Sequence, residues 1–160
     1  MTIGSLTTSL AITPWAVAAP SPDLLVQQQV DDQIRSYGGI QTGPSEVSYK
    51  GGDVKLIIAK KQAAGTANCP SGWYCFYQYK DWGGRRLQFK DCGSNQSLTD
   101  YGFGNLTTSW HNNSKNTVEV YDKSVDPFET LWRELPHSHS QFVGTLADNR
   151  ADFFYAYCGK

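Results

Sequence analysis

The chain has 160 residues, of which 39% are hydrophobic and 18% are charged, and its formal net charge at pH 7 is −1. This composition is too apolar for a disordered chain, and the balanced charge gives no general attraction to nucleic acid or to an anionic membrane. The length suits one domain with an extension, and many short β-prone runs with fifteen glycines favour sheet over helix.

The first segment, residues 1–18, is predicted to be a secretory signal peptide. It contains no Asp, Glu, Lys or Arg, and Ala16-Val17-Ala18 fits the small-x-small pattern of cleavage before Ala19. The segment is too short and too rich in Thr and Ser to span a bilayer, and no later segment is apolar enough to do so. We therefore expect a secreted, extracellular and soluble protein.

Residues 19–67 predict a helix followed by a β-hairpin. Ser21 is placed to cap the helix, Pro22 suits its first position, and Gly38-Gly39 ends it. The apolar stripe of this helix consists of Val26, Val30, Ile34 and Tyr37. The hairpin turns at Gly51-Gly52 between alternating strands, and residues 59–68 form a linker. This segment is too small to be stable alone, so it is either a prosegment or an added layer of the fold.

Residues 68–160 predict a mainly β domain, because short strands alternate with turn residues and helical periodicity is lacking. This pattern is typical of a sandwich or a barrel. The predicted strands are Tyr74–Tyr79, Arg86–Phe89, Thr108–His111, Thr117–Tyr121, Thr130–Glu134 and Phe153–Cys158.

The stretch Tyr77-x4-Trp82-x-Gly84 resembles the Greek-key signature of the βγ-crystallins. In that motif a hairpin folds over its own sheet, the second aromatic packs in the corner, and the glycine adopts a backbone conformation that other residues avoid. A later serine fastens the folded hairpin, and Ser109 stands at about the right place for it.

Taken together, the leader and the segments "VSYKGGDVKL", "CPSGWYCFYQYKDWGGR" and "LTTSWHNNSKNTVEVYD" resemble the actinobacterial secreted metallopeptidase-inhibitor family, peptidase inhibitor family 36. The resemblance implies a βγ-crystallin-like Greek-key β-sandwich with a small N-terminal helix-plus-hairpin extension. It also implies a monomeric, non-enzymatic inhibitor of an extracellular, thermolysin-like metallopeptidase. After about Asp122 the resemblance weakens, and Asp152-Phe153 stands where a second Greek-key half would have a hydroxyl pair.

The family resemblance also implies two disulfides. Four cysteines allow three pairings. We expect Cys69–Cys75, which flanks a Pro-Ser-Gly turn, and Cys92–Cys158, which ties the C-terminal strand back. A stapled loop is expected to block the target's cleft, and Gly102–Asn105 and Val125–Phe128 are the candidate segments.

Calcium binding is a further prediction, which rests on the resemblance to βγ-crystallin calcium sites. Asn105 and Thr108 match that motif, but Gly104 lacks the first expected oxygen ligand. An extracellular module that binds calcium or glycans is therefore the alternative function. The residues that could bind a glycan form a basic aromatic patch of Lys80, Trp82, Arg85, Arg86 and Lys90. The favoured interpretation of this patch, however, is a solvated hairpin in which Trp82 forms the corner.

Other site chemistries find little support, and apart from calcium we expect no cofactor and no resident metal. Cys69-x5-Cys75 is too wide for a zinc knuckle, and disulfide bonding would leave no thiol nucleophile. His137 and His139 would share a side of a strand, but such pairs are usually solvated. No HExxH, GxSxG or phosphate-binding glycine loop occurs, so an enzyme is not expected.

Overall fold

The computed structural model describes Met1 and residues 19–59 and 65–159. Apart from Met1, the predicted signal peptide lies outside the described residues, as do residues 60–64 of the predicted linker. The helix and strands are α1 (Pro22–Tyr37), β1 (Ile40–Gly43), β2 (Glu46–Tyr49), β3 (Val54–Ile57), β4 (Tyr74–Tyr77), β5 (Arg86–Phe89), β6 (Asn95–Ser97), β7 (Ser109–Asn112), β8 (Thr117–Asp122), β9 (Glu129–Glu134), β10 (Ser138–Ser140) and β11 (Phe153–Tyr157).

The strands form two antiparallel sheets that share one hydrophobic core. The larger sheet has the order β1-β2-β3-β5-β4-β7-β10, and the smaller has the order β6-β11-β8-β9. Phe76 and Phe89 of the larger sheet pack against Phe154 of the smaller one, with ring centroids 5.0 and 4.7 Å from it. All three rings are fully buried, so they contribute strongly to the free energy of folding. The prediction of a mainly β sandwich is confirmed.

The N-terminal segment packs against the sandwich and pairs with its larger sheet. Ser21 caps α1 by accepting a hydrogen bond from Leu24 N, and the helix buries Val26 and Val30 in the shared core. Buried Gln33 donates hydrogen bonds to both Tyr49 Oη and Tyr101 O, each at 2.9 Å. The β1–β3 strands enter the larger sheet because β3 pairs with β5 in register over four residues.

Three strands of the described residues were not predicted from the sequence: β1, β6 and β10. The last two are three residues long and polar, with the sequences Asn-Gln-Ser and Ser-His-Ser, so their own propensity for strand is low. Pairing with β11 and β7 holds them extended. His137 and His139 do not share a strand, since His137 lies outside β10 with a φ of 53° in the turn after Pro136. This agrees with the favoured interpretation of this pair as solvated residues rather than a chelating pair.

Candidate functional site

The first Greek-key hairpin, β4–β5, is fastened by Ser109 at the start of β7. Ser109 Oγ donates a hydrogen bond to Tyr79 O at 2.6 Å and accepts one from Trp82 N at 3.1 Å. Trp82 Nε1 donates to the main chain of β7 at Trp110 O, which fixes the corner aromatic. Gly84 has a φ of 74°, and a Cβ there would lie 2.5 Å from the Tyr79 ring. These residues therefore build the scaffold.

The second hairpin, β8–β9, is fastened by a carboxylate. Asp152 Oδ2 accepts a hydrogen bond from Lys123 N at 3.1 Å, and Asp152 N donates to Tyr121 O at 3.0 Å. The divergence from hydroxyl to carboxylate at this position therefore preserves a tether to the folded hairpin.

Two loops form corners of the sandwich, one just before β7 and one just before β11, and we call them the corner arches. Each arch donates a main-chain hydrogen bond to the other. Asn105 N donates to Ala151 O, and Asn149 N donates to Thr107 O. Asn105 and Asn149 have nearly equal positive φ values of 56° and 57°. Two equivalent arches are what two Greek-key halves produce, so the pseudo-symmetry lies in the backbone even where the sequence has diverged.

The predicted calcium-binding residues lie at these arches. Thr108 Oγ1 donates a hydrogen bond to Asp148 Oδ1 at 2.7 Å, while exposed Asn105 and the cation Lys80 line the same pocket. A calcium ion takes six to eight oxygen ligands, and a neighbouring ammonium group opposes its binding. Within residues 19–59 and 65–159, no cluster of three or more His, Cys, Asp or Glu residues is arranged to hold a metal ion.

The structure contains the two disulfides that the family resemblance implied. Cys69 is bonded to Cys75, and Cys92 is bonded to Cys158. The first closes a short loop beside β4, and the second joins the β5–β6 connection to the end of β11. No cysteine is free among the described residues.

Of the two candidate inhibitory segments, Gly102–Asn105 does not project from the surface. Phe103 is fully buried, and the ring of Tyr37 on α1 covers Gly102 so closely that a Cβ there would lie 2.5 Å from it. Only Asn105 in this segment is exposed. The segment is therefore part of the packing between α1 and the sandwich.

The other candidate lies at the tip of the β8–β9 hairpin, in the loop of residues 123–128, all of which are exposed. Val125 and Phe128 present large apolar side chains, with 44% and 61% of their surface exposed. Asp126 and Pro127 lie between them. Exposed apolar groups on a short loop are suited to insertion into a partner's cleft.

An ionic brace holds the base of this loop. Arg150 Nη2 bridges Asp122 Oδ2 at 2.8 Å and the carboxylate of Glu129, which lie on either side of the loop. Asp122 Oδ1 also accepts a hydrogen bond from Ser124 N at 2.7 Å. Hydrogen bonding by the Ser124 side chain, with smaller contributions from the Ser124 main chain and the Arg150 guanidinium, outweighs the effect of burial and lowers the pKa of Asp122 from its ordinary value. Asp122 is therefore ionised at neutral pH, and Arg150 links the two ends of the loop.

Comparison with known families finds a match in the central part of the chain. Residues 62–125 match the model of peptidase inhibitor family I36. The match covers the first Greek-key hairpin, Ser109 and the start of the exposed loop. It confirms the resemblance drawn from the sequence and supports a role as a peptidase inhibitor.

Solved structures also show likeness to the sandwich. One chain, from "Evolution of the eye lens beta-gamma-crystallin domain fold", is 13% identical with a TM-score of 0.48, and the match covers 60% of this chain and 96% of that one. A βγ-crystallin domain from Clostridium beijerinckii is 20% identical with a TM-score of 0.44, and the match covers 52% and 95% of the two chains. No curated protein matches the sequence. Among the described residues, no helix combines the length and hydropathy needed to cross a bilayer.

The basic aromatic patch does not form a common site for a glycan. Trp82 is held in the hairpin corner, Arg86 donates to the Asn68 side chain at 2.7 Å, and Lys90 pairs with Asp53 at 2.9 Å. The cationic side chains are thus engaged with different parts of the fold. The favoured sequence interpretation, a solvated hairpin built on Trp82, agrees with these contacts.

His111 and His139 face each other across β7 and β10, with ring centroids 5.7 Å apart. His111 Nδ1 accepts a hydrogen bond from Cys69 N at 3.1 Å, so neutral His111 carries its proton on Nε2. That tautomer leaves no lone pair at Nε2 for a metal. Burial, followed by the charges of His139 and Arg86, lowers the pKa of His111.

Two features of the structure were not predicted from the sequence: the Arg150 brace and a buried carboxyl group. Arg150 lies 28 residues from Asp122, and only the sandwich topology brings them together. Glu134 at the end of β9 is fully buried, and Trp132 Nε1 donates to its Oε1 at 3.0 Å. Burial raises the pKa of Glu134 to about 8. The sequence did carry one signal of the Trp132–Glu134 contact. Residues two apart in a strand lie on the same face, so Trp132 and Glu134 were expected to be neighbours in β9.

Proposed function

We propose that the protein is an extracellular inhibitor of metallopeptidases, and that it presents the loop of residues 123–128 to the active-site cleft of its target. The observation that carries this proposal is the I36 family match, combined with an exposed apolar loop braced at both ends. The protein acts as a ligand of the peptidase and not as a catalyst. The predicted signal peptide and the two disulfides support an extracellular site of action.

The loop inhibits by occupying the cleft in a fixed shape. Val125 or Phe128 fills an apolar specificity pocket of the peptidase, while the brace keeps the loop ends in place. A pre-organised loop loses less conformational entropy on binding than a flexible substrate does, which favours tight binding. If a loop bond were cut, the hairpin would hold both ends together, so release of a product would be slow.

Asp126 at the tip of the loop suits a metal-dependent target. Catalytic zinc sites have three protein ligands and an open fourth position, and carboxylate oxygens are zinc ligands. The exposed Asp126 side chain lies between Val125 and Phe128, where it would enter the cleft with them. Its carboxylate would replace the zinc-bound water and so block the reaction.

The test is a titration of the purified protein against a thermolysin-like metallopeptidase, following peptide hydrolysis, with a serine peptidase as the control enzyme. Inhibition of the metallopeptidase alone is expected, and Asp126→Asn should weaken it at least tenfold. Val125→Ser and Phe128→Ser test the apolar contacts, and Ile40→Ser, which changes a more exposed apolar residue on β1, is the matched control. No inhibition of any metallopeptidase tested at micromolar protein would overturn the proposal.

A further inference from the structure

The outer side of the smaller sheet carries a row of aromatic residues that lie outside the buried core. In β11 the outward residues Phe153, Tyr155 and Tyr157 alternate with the buried core residues Phe154 and Ala156. A strand with one solvated face normally places polar residues on that face. An apolar outer side on a central strand is therefore typical of a surface that a partner covers.

These rings form a continuous surface with two neighbours, which we call the aromatic face: Tyr121, Phe128, Phe153, Tyr155 and Tyr157. Phe153 stacks on Tyr121 at 5.0 Å between ring centroids and contacts the edge of Phe128 at 5.1 Å. Tyr155 and Tyr157 are 4.6 Å apart. The same five rings, with Asn95, line one shallow groove.

The aromatic face is ordered in advance of any partner. Tyr121 Oη and Tyr157 Oη both donate to Glu119 Oε2, at 2.8 and 2.9 Å. The guanidinium of Arg133 lies 5.9 Å from the centroid of the Tyr157 ring. Tyrosines held in this way supply contact area at little further entropic cost, which is a property of interface hot spots.

The aromatic face is continuous with the proposed inhibitory loop, because Phe128 belongs to both. A loop of six residues is much smaller than a standard protein–protein interface, which takes roughly 20–30 residues from each side. A peptidase that receives the loop in its cleft must therefore also cover surface beside it. The aromatic face is the ordered, apolar surface that begins at the loop.

We infer that the aromatic face is a second contact surface for the same target peptidase, outside its catalytic cleft. This inference rests on the proposed function. The matching surface of the peptidase is apolar at its centre, with hydrogen-bonding groups that meet the phenol groups and Glu119 at the rim. The loop then determines that the target is a metallopeptidase, and the aromatic face selects among metallopeptidases with similar clefts.

The experiment measures the inhibition constant of wild-type protein, Tyr155→Ser/Tyr157→Ser and Tyr157→Ser against the metallopeptidase that the wild type inhibits best. The double variant should raise the inhibition constant at least tenfold, mainly through faster dissociation. Tyr37→Ser is the matched control, since Tyr37 on α1 is 45% exposed and Tyr157 is 41% exposed. Thermal unfolding shows that each variant is folded, and the single variant serves if the double variant is not.

Each other outcome overturns the inference in a recognisable way. If the folded Tyr155→Ser/Tyr157→Ser variant inhibits as well as the wild type, the inference about the aromatic face is overturned and the proposed function is left intact. A wild-type protein that inhibits no metallopeptidase overturns both. If wild-type protein is retained on an insoluble polysaccharide, and the double variant loses that retention while still inhibiting fully, the aromatic face binds glycan and the inference fails.

Discussion

Ser109 Oγ accepts a hydrogen bond from Trp82 N at 3.1 Å across 27 residues of chain, and this contact closes the first Greek-key hairpin. The same oxygen donates to Tyr79 O, so one hydroxyl satisfies two main-chain groups at a corner where the regular ladder ends. Ser109 is fully buried, which means that water does not replace these bonds when the hydroxyl is lost.

Ser109→Ala should therefore lower the free energy of unfolding by about 1–3 kcal/mol, because it removes the partner of a part-buried donor, Trp82 N, and of a part-buried acceptor, Tyr79 O. Urea unfolding followed by tryptophan fluorescence measures this change. The matched control is Ser138→Ala on the edge strand β10, which is expected to change stability by less than about 0.5 kcal/mol. Equal effects of the two substitutions would show that Ser109 does not fasten the hairpin.

Arg150→Gln tests the brace of the proposed inhibitory loop. It removes the cation that joins Asp122 to Glu129, so the ends of loop 123–128 lose part of their order before binding. We expect the inhibition constant to rise about tenfold, since the loop must then be ordered on the enzyme. Arg35→Gln, which breaks the exposed Arg35–Asp32 pair on α1, should leave inhibition unchanged. An unaltered inhibition constant for Arg150→Gln would exclude pre-organisation by this brace.

The Greek-key hairpin could be predicted because its information is local. The spacing of Tyr77, Trp82 and Gly84 specifies one hairpin, and Ser109 needs only to fall in the following strand. The pairing of β3 with β5 could not be predicted, because a linker separates the two strands in the sequence. The hydrophobic periodicity of a hairpin predicts its strands but not the sheet edge that it joins. The Asp152 tether was also beyond prediction, because a carboxylate there replaces the expected hydroxyl and the contact depends on folded geometry.

The pairing of β3 with β5 yields a prediction about the N-terminal segment. A chain of residues 65–160 lacks α1 and β1–β3, so it exposes the edge of β5 and the part of the core that Val30 and Leu56 cover. Exposed strand edges and apolar surface favour aggregation. We expect this truncated chain to show no cooperative thermal unfolding, in contrast to the chain of residues 19–160. Cooperative unfolding of residues 65–160 with full inhibition would instead identify a removable prosegment.

The two disulfides should differ in their contribution to stability. Cys92–Cys158 spans 66 residues and Cys69–Cys75 spans 6. In the chain-entropy model, the longer loop stabilises the fold by about 4 kcal/mol and the shorter loop by about 2 kcal/mol. Urea unfolding of the Cys92→Ala/Cys158→Ala and Cys69→Ala/Cys75→Ala double variants compares them. A larger loss for the shorter loop would mean that native packing at Cys69–Cys75, and not chain entropy, dominates.

Glu134 predicts a pH dependence opposite in sign to that of a salt-bridged carboxylate. Its pKa is raised to about 8 in the folded protein from the ordinary glutamate value of 4.5, because burial disfavours the charged form. Below pH 4.5 the group is protonated in both states and costs nothing. Between pH 4.5 and 8 the unfolded chain ionises while the folded protein keeps the proton, so the free energy of unfolding falls by about 1.4 kcal/mol per pH unit. Above pH 8 the cost is constant.

Glu134→Gln removes this ionisation and keeps the acceptor for Trp132 Nε1. Urea unfolding at pH 5, 6, 7 and 8 should therefore show the variant gaining on the wild type as pH rises, with the difference levelling off above pH 8. At pH 5 the variant should be no more stable than the wild type. Its amide nitrogen takes the place of Glu134 Oε2, a buried atom with no hydrogen-bond partner among the described residues, so the amide N–H groups stay unpaired. Arg133→Gln, the neighbouring exposed residue of β9, should show no such trend. A difference between Glu134→Gln and wild type that does not change with pH would mean that Glu134 has an ordinary pKa, and that the core admits water at the end of β9.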